Sequence, residues 1–409
     1  VCACPAGYIT TVRDVCMECG PQDAEQNLFG QLSRGLNHAG YVLMRGVPVQ
    51  MNVCRGDFFP YSGSVETFNT VQDVAAMLGA EERYSLFDVP GGHGWREAAR
   101  TSMVAWMRRW VAGERSVKFE PEAWRALDVD FDPAKSDMGL GEKECFAAPE
   151  GDVKNLPGER SAYDLLREEL AAVERTRPPL DAAGLAAAAK RLAGIRTPKE
   201  SGVFVRTLGV SVRAGGVKAE RLAFAYPDGF AVPAVLLVPS AAKGAPVVVA
   251  ASAGRDACGK LVAEFLDAGR PVLAADVSGT GEISGLPIKS YYGSRFKEEP
   301  AAVMLYLLGE SMVGRRAGEM LALADYAKTR FGAAPLLVTS GVTAPVAAAH
   351  AFAAGRDVIA GVRIEGDAPL SWTEVVRGSN RHKDGAVGFP FASCVTGALR
   401  VYDWPDLLK

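Results

Sequence analysis

No stretch of this sequence approaches the roughly 20 consecutive apolar residues that a bilayer-crossing helix needs, and no excess of either charge runs through it. Lysine and arginine number 45 against 48 aspartates and glutamates, for a formal net charge of -3. Such a balance offers no electrostatic footprint for a polyanion, so neither nucleic acid nor a membrane is expected as a partner. Histidine is scarce at four residues, which leaves few candidate bases for any proton-transfer chemistry. The opening segment VCACPAGYITT begins at Val1 and lacks the basic stretch of a signal peptide, so it reads as an internal start that leaves the compartment open.

What is present is a core-forming composition. Hydrophobic residues make up 48% and charged residues 23% of 409 positions. A single core stops growing near roughly 250–300 residues, so two domains are expected. Four of eight cysteines crowd the beginning as Cys2, Cys4, Cys16 and Cys19. The last two form a C-x-x-C, a spacing that suits a tetrahedral metal or a redox pair. No histidine stands close to complete a ligand set, and small buried thiols are the leading expectation. No organic cofactor is implied and no metal is required.

The pattern along the chain is α/β. Residues 41–54 approach and then form a short apolar strand, residues 65–79 carry helical spacing, YSLFDV reads as a second strand and REAARTSMVAWMRRWVAG as an amphipathic helix. Strands alternating with helices imply parallel pairing through helical crossovers. From 114 to 200 the rhythm weakens, and the stretch reads as a linker with helices over 163–177 and 181–194. A hairpin turning at Pro227-Asp228-Gly229 follows. The run APVVVAAS then suits a strand buried on both faces. Helices over 259–268, 314–331 and 344–355 alternate with strands over 271–277, 335–340 and 358–366.

Asp57 follows the first strand and His93 the second, each on a loop at the carboxyl end where open α/β sheets place their sites. Paired, the aspartate would orient the imidazole, and His93 would take a proton from a nucleophile and return it to a leaving group. Gly91, Gly92 and Gly94 would let a tight loop present the ring. Spacing alone favours an aspartate in a surface turn and a histidine in a flexible loop, without settling the matter.

The segments GPQDAEQNLFGQL, DFFP before a helix, and HGW before REAARTSMVAWMRRWVAG resemble the tail of acetyl xylan esterase-like α/β-hydrolases over about the first 113 residues. The resemblance implies a catalytic acid at Asp57 and a catalytic base at His93, with the family's serine elbow falling before Val1. Later features, the PAVLLVP and APVVVAAS strands, the DVSGTGE loop and the helix SMVGRRAGEMLALADY, resemble the front of the same fold as it occurs in tandem proteins of the group.

That implies an α/β fold class of α/β-hydrolase-type parallel sheets in two partial units, 1–113 and 201–409, joined by a helical linker over 114–200. The function implied is a carboxylic-ester hydrolase with a serine mechanism acting on acylated polysaccharide or a small ester. A secreted or periplasmic location is compatible with it. The alternative is a non-catalytic pseudo-hydrolase that binds carbohydrate or acts as a scaffold.

In the second unit the elbow should read G-x-S-x-G, a strained turn that lifts a hydroxyl above the sheet. The sequence instead offers Thr339-Ser340-Gly341-Val342-Thr343, with Gly341 where the serine should stand and Ser340 one place early as a weak candidate nucleophile. His350, on an alanine-rich helix, is expected in the core, and His382 in a solvated loop. Trp106 and Trp110, four apart on one helix, are expected to pack together. Trp95, beside His93, is the candidate substrate-binding aromatic, and Tyr291 and Tyr292 are further candidates for a sugar surface. The DVSGTGE loop fails the dinucleotide pattern and is expected to border the site mouth.

Overall fold

The computed structural model describes residues 1–409 apart from 19, 21–25, 45, 116–142, 144–145, 286–297 and 379–388. Two compact units emerge, Val1–Glu159 and Arg160–Lys409, the latter without 288–293.

In the first unit the heptad VQMNVCR carries alternating side chains into strand β1 (Val49–Gly56), which pairs in parallel with β2 (Tyr84–Gly92). Period-2 alternation sends Val49, Met51 and Val53 to one face, against Val71 and Ala75 of helix α1 (Tyr61–Met77). On the other face Gln50, Asn52 and Cys54 meet helix α2 (Glu97–Trp110), through Ser102 and Ala99. Strand β1 is thus buried on both faces, as a parallel strand between crossover helices must be. Its polar face satisfies itself. Gln50 donates to Ser102 Oγ at 2.8 Å and to Asn52 Oδ1 at 3.1 Å, and Ser102 donates to Asn52 Oδ1 at 2.9 Å.

The first residues of the chain add a further parallel edge to β1, which the sequence reading did not foresee. Ala3 bridges to Val49 and Ala6 to Asn52, with Gly7 N–H donating to the Asn52 carbonyl at 3.1 Å. The segment makes only isolated bridges, too short to leave a periodic signal. Residues 41–54 also divide differently from expectation: a helix (His38–Leu43) precedes the strand, which runs on to Gly56.

The second unit holds, among the described residues, a seven-stranded sheet in the order β3-β4-β5-β7-β6-β8-β9. Strands β3 (Phe204–Val212), β4 (Lys218–Ala225) and β5 (Ala231–Val238) are antiparallel, and β5 pairs antiparallel with β7 (Val272–Ala275). Strands β7, β6 (Val247–Ala251), β8 (Leu336–Ser340) and β9 (Gly361–Glu365) run parallel. The five residues of β6 are all buried. The hairpin turns where expected, with Gly229 N–H donating to the Tyr226 carbonyl at 3.0 Å.

The stretch expected as a linker over 114–200 carries two helices in its second half. Helices Ala162–Thr176 and Ala182–Ala193 belong to the second unit, and Ala188, Ala189, Ala193 and Ile195 sit in its main core. Alanine-rich helices bury little apolar area per residue but pack backbone close to backbone. At Gly314 an added Cβ would stand 1.8 Å from the Ala193 carbonyl oxygen, so no side chain fits there.

Candidate active site

The turn after β1 and the turn after β2 bring two side chains together at the carboxyl ends of the parallel pair. His93 Nδ1 lies 2.9 Å from Asp57 Oδ1 and 3.1 Å from Oδ2. The carboxylate side chain is 2% exposed and the imidazole 46%. A buried, acceptor-only carboxylate requires a donor, which fixes the proton on Nδ1. Nε2 is then the acceptor, and it has no hydrogen-bond partner among the described residues. Asp57 Oδ1 also accepts from Phe59 N–H at 3.1 Å, so the turn itself holds the carboxylate.

Several supporting residues escape a reading by spacing. Gly7, at the end of the added edge and with φ +63°, lies directly on the pair: a Cβ there would stand 3.2 Å from His93 Nδ1 and 3.3 Å from Asp57 Oδ2. The aromatic rings against the imidazole are Phe58 and Phe59, at centroid distances of 4.5 and 6.0 Å. Arg96 donates to the carbonyls of Gly92 at 3.2 Å and His93 at 3.4 Å, tying down the glycine loop. Trp95 is 43% exposed on the same loop. Asp-Phe-Phe within one turn is the sequence signal for the two phenylalanines; Gly7, 50 positions before Asp57, carries none.

In the second unit the loops after β6 and β8 meet at the crevice where the strand order reverses, since β7 and β8 flank β6 on opposite sides. Gly341 has φ +85°, and an added Cβ would stand 2.7 Å from Ser252 Cβ and 2.8 Å from Ser252 Oγ. The Ser252 hydroxyl donates to the Ser340 carbonyl at 3.0 Å and accepts from the backbone N–H groups of Thr343 and Ala344, both at 3.0 Å. These amides open the helix Ala344–Ala354, where unsatisfied N–H groups would otherwise receive an anion. Ser252 occupies that place. No base serves Ser340 from His350 either, because its Nδ1 is 2.7 Å from the Val346 carbonyl and its Nε2 accepts from Tyr402 at 3.0 Å.

His350 is fully buried as expected, and burial pushes its pKa down to about 4. Trp106 is buried, with its ring 5.6 Å from that of Trp110. Cys4 Sγ accepts from Asn52 at 3.0 Å, and burial raises its thiol to about 11. Cys2 contacts Met107 at 3.3 Å, and Cys16 lies in the helix Val12–Glu18. Among the described residues no group of three or more His, Cys, Asp or Glu side chains could hold a metal ion. Cys19, Tyr291, Tyr292 and His382 lie outside the described residues. In the DVSGTGE loop, buried Asp276 accepts from the backbone N–H groups of Arg255 at 2.6 Å and Glu282 at 3.1 Å, which closes the loop on itself.

No family model matches the chain, and no curated protein does. Solved structures that overlap with it include a Bacteroides fragilis protein assigned as an acetyl xylan esterase, at 17% identity and a TM-score of 0.47, covering 61% of this chain and 72% of that one. A glucuronoyl esterase from Solibacter usitatus overlaps at 17% identity and a TM-score of 0.28, covering 53% and 61%. A carboxyl esterase from Bacillus coagulans does so at 15% and 0.25, covering 36% and 43%. The chain spans less than two thirds of the last two. These neighbours are esterases at low identity and partial coverage, an overlap that carries no residue role or substrate across.

Proposed function

We propose that Asp57 and His93 are the acid and base of a carboxylic-ester hydrolase that uses a serine nucleophile on acylated carbohydrate or a small ester. The observation that carries this is the 2.9 Å contact between a buried carboxylate and Nδ1 of an imidazole whose other nitrogen stands free on a half-exposed ring. In the reaction His93 Nε2 takes the proton from a serine hydroxyl as its oxygen attacks the ester carbonyl. The same nitrogen returns the proton to the departing alkoxide, and then activates water to release the acid from the acyl-enzyme. Asp57 holds the tautomer and stabilises the imidazolium. Trp95, exposed on the same loop as His93, is the aromatic that would contact the acyl or sugar part of the substrate. The substrate class rests on the acetyl xylan esterase-like sequence resemblance.

Ser340 is not the nucleophile in this reading. The Ser252 hydroxyl on the helix amides and Gly341 at the turn favour a non-catalytic second unit, a pseudo-hydrolase of the same ancestry.

A fluorophosphonate serine probe, applied to the protein as its gene encodes it and followed by peptide mapping, tests both parts. The expected result is labelling of a serine other than Ser340, abolished by His93→Ala. Labelling at Ser340, or no labelled serine at all, would overturn the assignment.

A further inference from the structure

The first residues of the chain and helix α2 bring three sulfur side chains to one face of β1. Cys2 Sγ lies 3.3 Å from Sδ of Met107 on α2. Cys4 stands two positions on, in a segment that the bridges of Ala3 to Val49 and Ala6 to Asn52 hold extended, so its side chain leaves the backbone on the same side as that of Cys2. It meets Asn52 and Gln50 on the face that α2 covers. We propose that Cys2, Cys4 and Met107 form a binding site for one Cu(I) ion, held by two thiolates and a thioether.

The donor set selects the metal. Thiolate and thioether sulfur are soft ligands that suit Cu(I), whereas carboxylates, carbonyls and water suit hard cations. Structural zinc is almost always four-coordinate. Among the described residues no group of three or more His, Cys, Asp or Glu side chains stands together to supply such a shell. Cu(I) accepts a lower coordination number, which these two cysteines and one methionine complete.

A second layer is already in place around Cys4. Asn52, 2% exposed, donates through Nδ2 to Cys4 Sγ at 3.0 Å, while its Oδ1 accepts from Gln50 at 3.1 Å and from the Ser102 hydroxyl at 2.9 Å. The amide is locked with an N–H aimed at sulfur. A neutral thiol is a weak acceptor, but a thiolate makes that bond charge-assisted. Outer donors of this kind orient metal ligands and tune them.

Electrostatics agree with the geometry. A charge on Cys2 opposes ionisation of Cys4, so the two sulfurs lie within reach of each other's field. A cation between them cancels that repulsion. Both cysteines are half-buried, which leaves the ion a way in. On binding, each thiol releases its proton to solvent and each sulfur gives an electron pair to copper, with no change in the oxidation state of either element.

Anaerobic titration of the full chain with Cu(I) against bathocuproine disulfonate tests the site, and X-ray absorption at the copper edge reads the ligands. One Cu(I) per chain should be withheld from the chelator, with sulfur as its only neighbours. Cys2→Ser and Cys4→Ser should each weaken binding by about 100-fold or more, and Met107→Leu, which keeps the side-chain volume, by about threefold or more. Cys394→Ser, in the second unit, should leave it unchanged. Circular dichroism of the metal-free variants separates lost ligation from lost fold, and Met107→Leu decides the matter where a cysteine variant misfolds. Surrender of all copper to the chelator, retention unaffected by Cys2→Ser and Cys4→Ser, full-strength binding in Met107→Leu, or displacement of Cu(I) by Zn(II) would overturn the assignment.

Discussion

A Cβ on Gly341 would stand 2.7 Å from Cβ of Ser252. The two residues close the second unit's crevice between them. Gly341→Ser restores the residue that a serine elbow would carry, yet it should lower stability by about 2–4 kcal/mol, from the overlap and the left-handed backbone together. It should gain no p-nitrophenyl acetate hydrolysis. Urea denaturation reads the first effect, and Ser252→Gly in the same chain should recover part of it. An active, undestabilised Gly341→Ser protein contradicts the closed crevice.

Ser252→Ala removes the acceptor of two helix-opening N–H groups and a donor to the Ser340 carbonyl. The expected cost is about 2 kcal/mol, at the upper end for an N-terminal cap. Ser252→Asp, which keeps an acceptor at the helix N-terminus, should be less costly than alanine. Comparing the three denaturation midpoints checks the order.

Stability should fall on acidification because His350 is buried as a neutral ring between Val346, Tyr402 and Trp372. Its folded pKa of about 4 lies below the ~6.5 of an unfolded imidazole. The unfolded chain therefore takes up the proton first, and native stability is full above about pH 6.5 and declines as pH drops towards 4, by roughly 3 kcal/mol in all. Burial lowers the pKa of His38 as well, with the same sign. Urea midpoints at pH 7 and pH 5 should converge in His350→Gln relative to wild type. Equal pH dependence in both proteins would contradict the assignment to His350.

Asn52 accepts from Gln50 and Ser102 and donates to Cys4, all under helix α2. Asn52→Leu should cost about 1–3 kcal/mol, because it leaves one buried N–H of Gln50 without its acceptor, while Ser102 keeps the Ala99 carbonyl at 3.0 Å. Amide exchange at α2 should speed up in that variant before exchange at α1 does, since α1 packs on the apolar face of β1.

Most strands and helices were legible in the sequence where one period ruled for long enough. The helix Met312–Phe331 and the strand Val247–Ala251 fall close to the expected positions because heptad-like spacing and an unbroken apolar run leave one solution. Asp57 and His93 were legible as loop residues following strands, since a parallel pair joined by a helix must bring its two carboxyl ends side by side. Gly7 was not, because its position depends on two isolated bridges, at Ala3 and Ala6, with no period of their own. Nor was Ser252: nothing local in A-S-A-G distinguishes a hydroxyl that caps a helix 92 residues later from one in solvent. The helix Ala182–Ala193 read as part of a linker because alanine-rich faces give weak periodicity, yet Ala188, Ala189 and Ala193 lie in the core, with the Ala193 carbonyl packed against Gly314.

The central claim is that Asp57 and His93 act as one acid-base unit on an ester, and steady-state p-nitrophenyl acetate kinetics of the gene-encoded protein test it most directly. The account predicts that His93→Ala and Asp57→Asn each lower kcat by about 10³–10⁴-fold, and that the double variant is little worse than His93→Ala alone. Turnover that survives His93→Ala, or losses that multiply in the double variant, would contradict it.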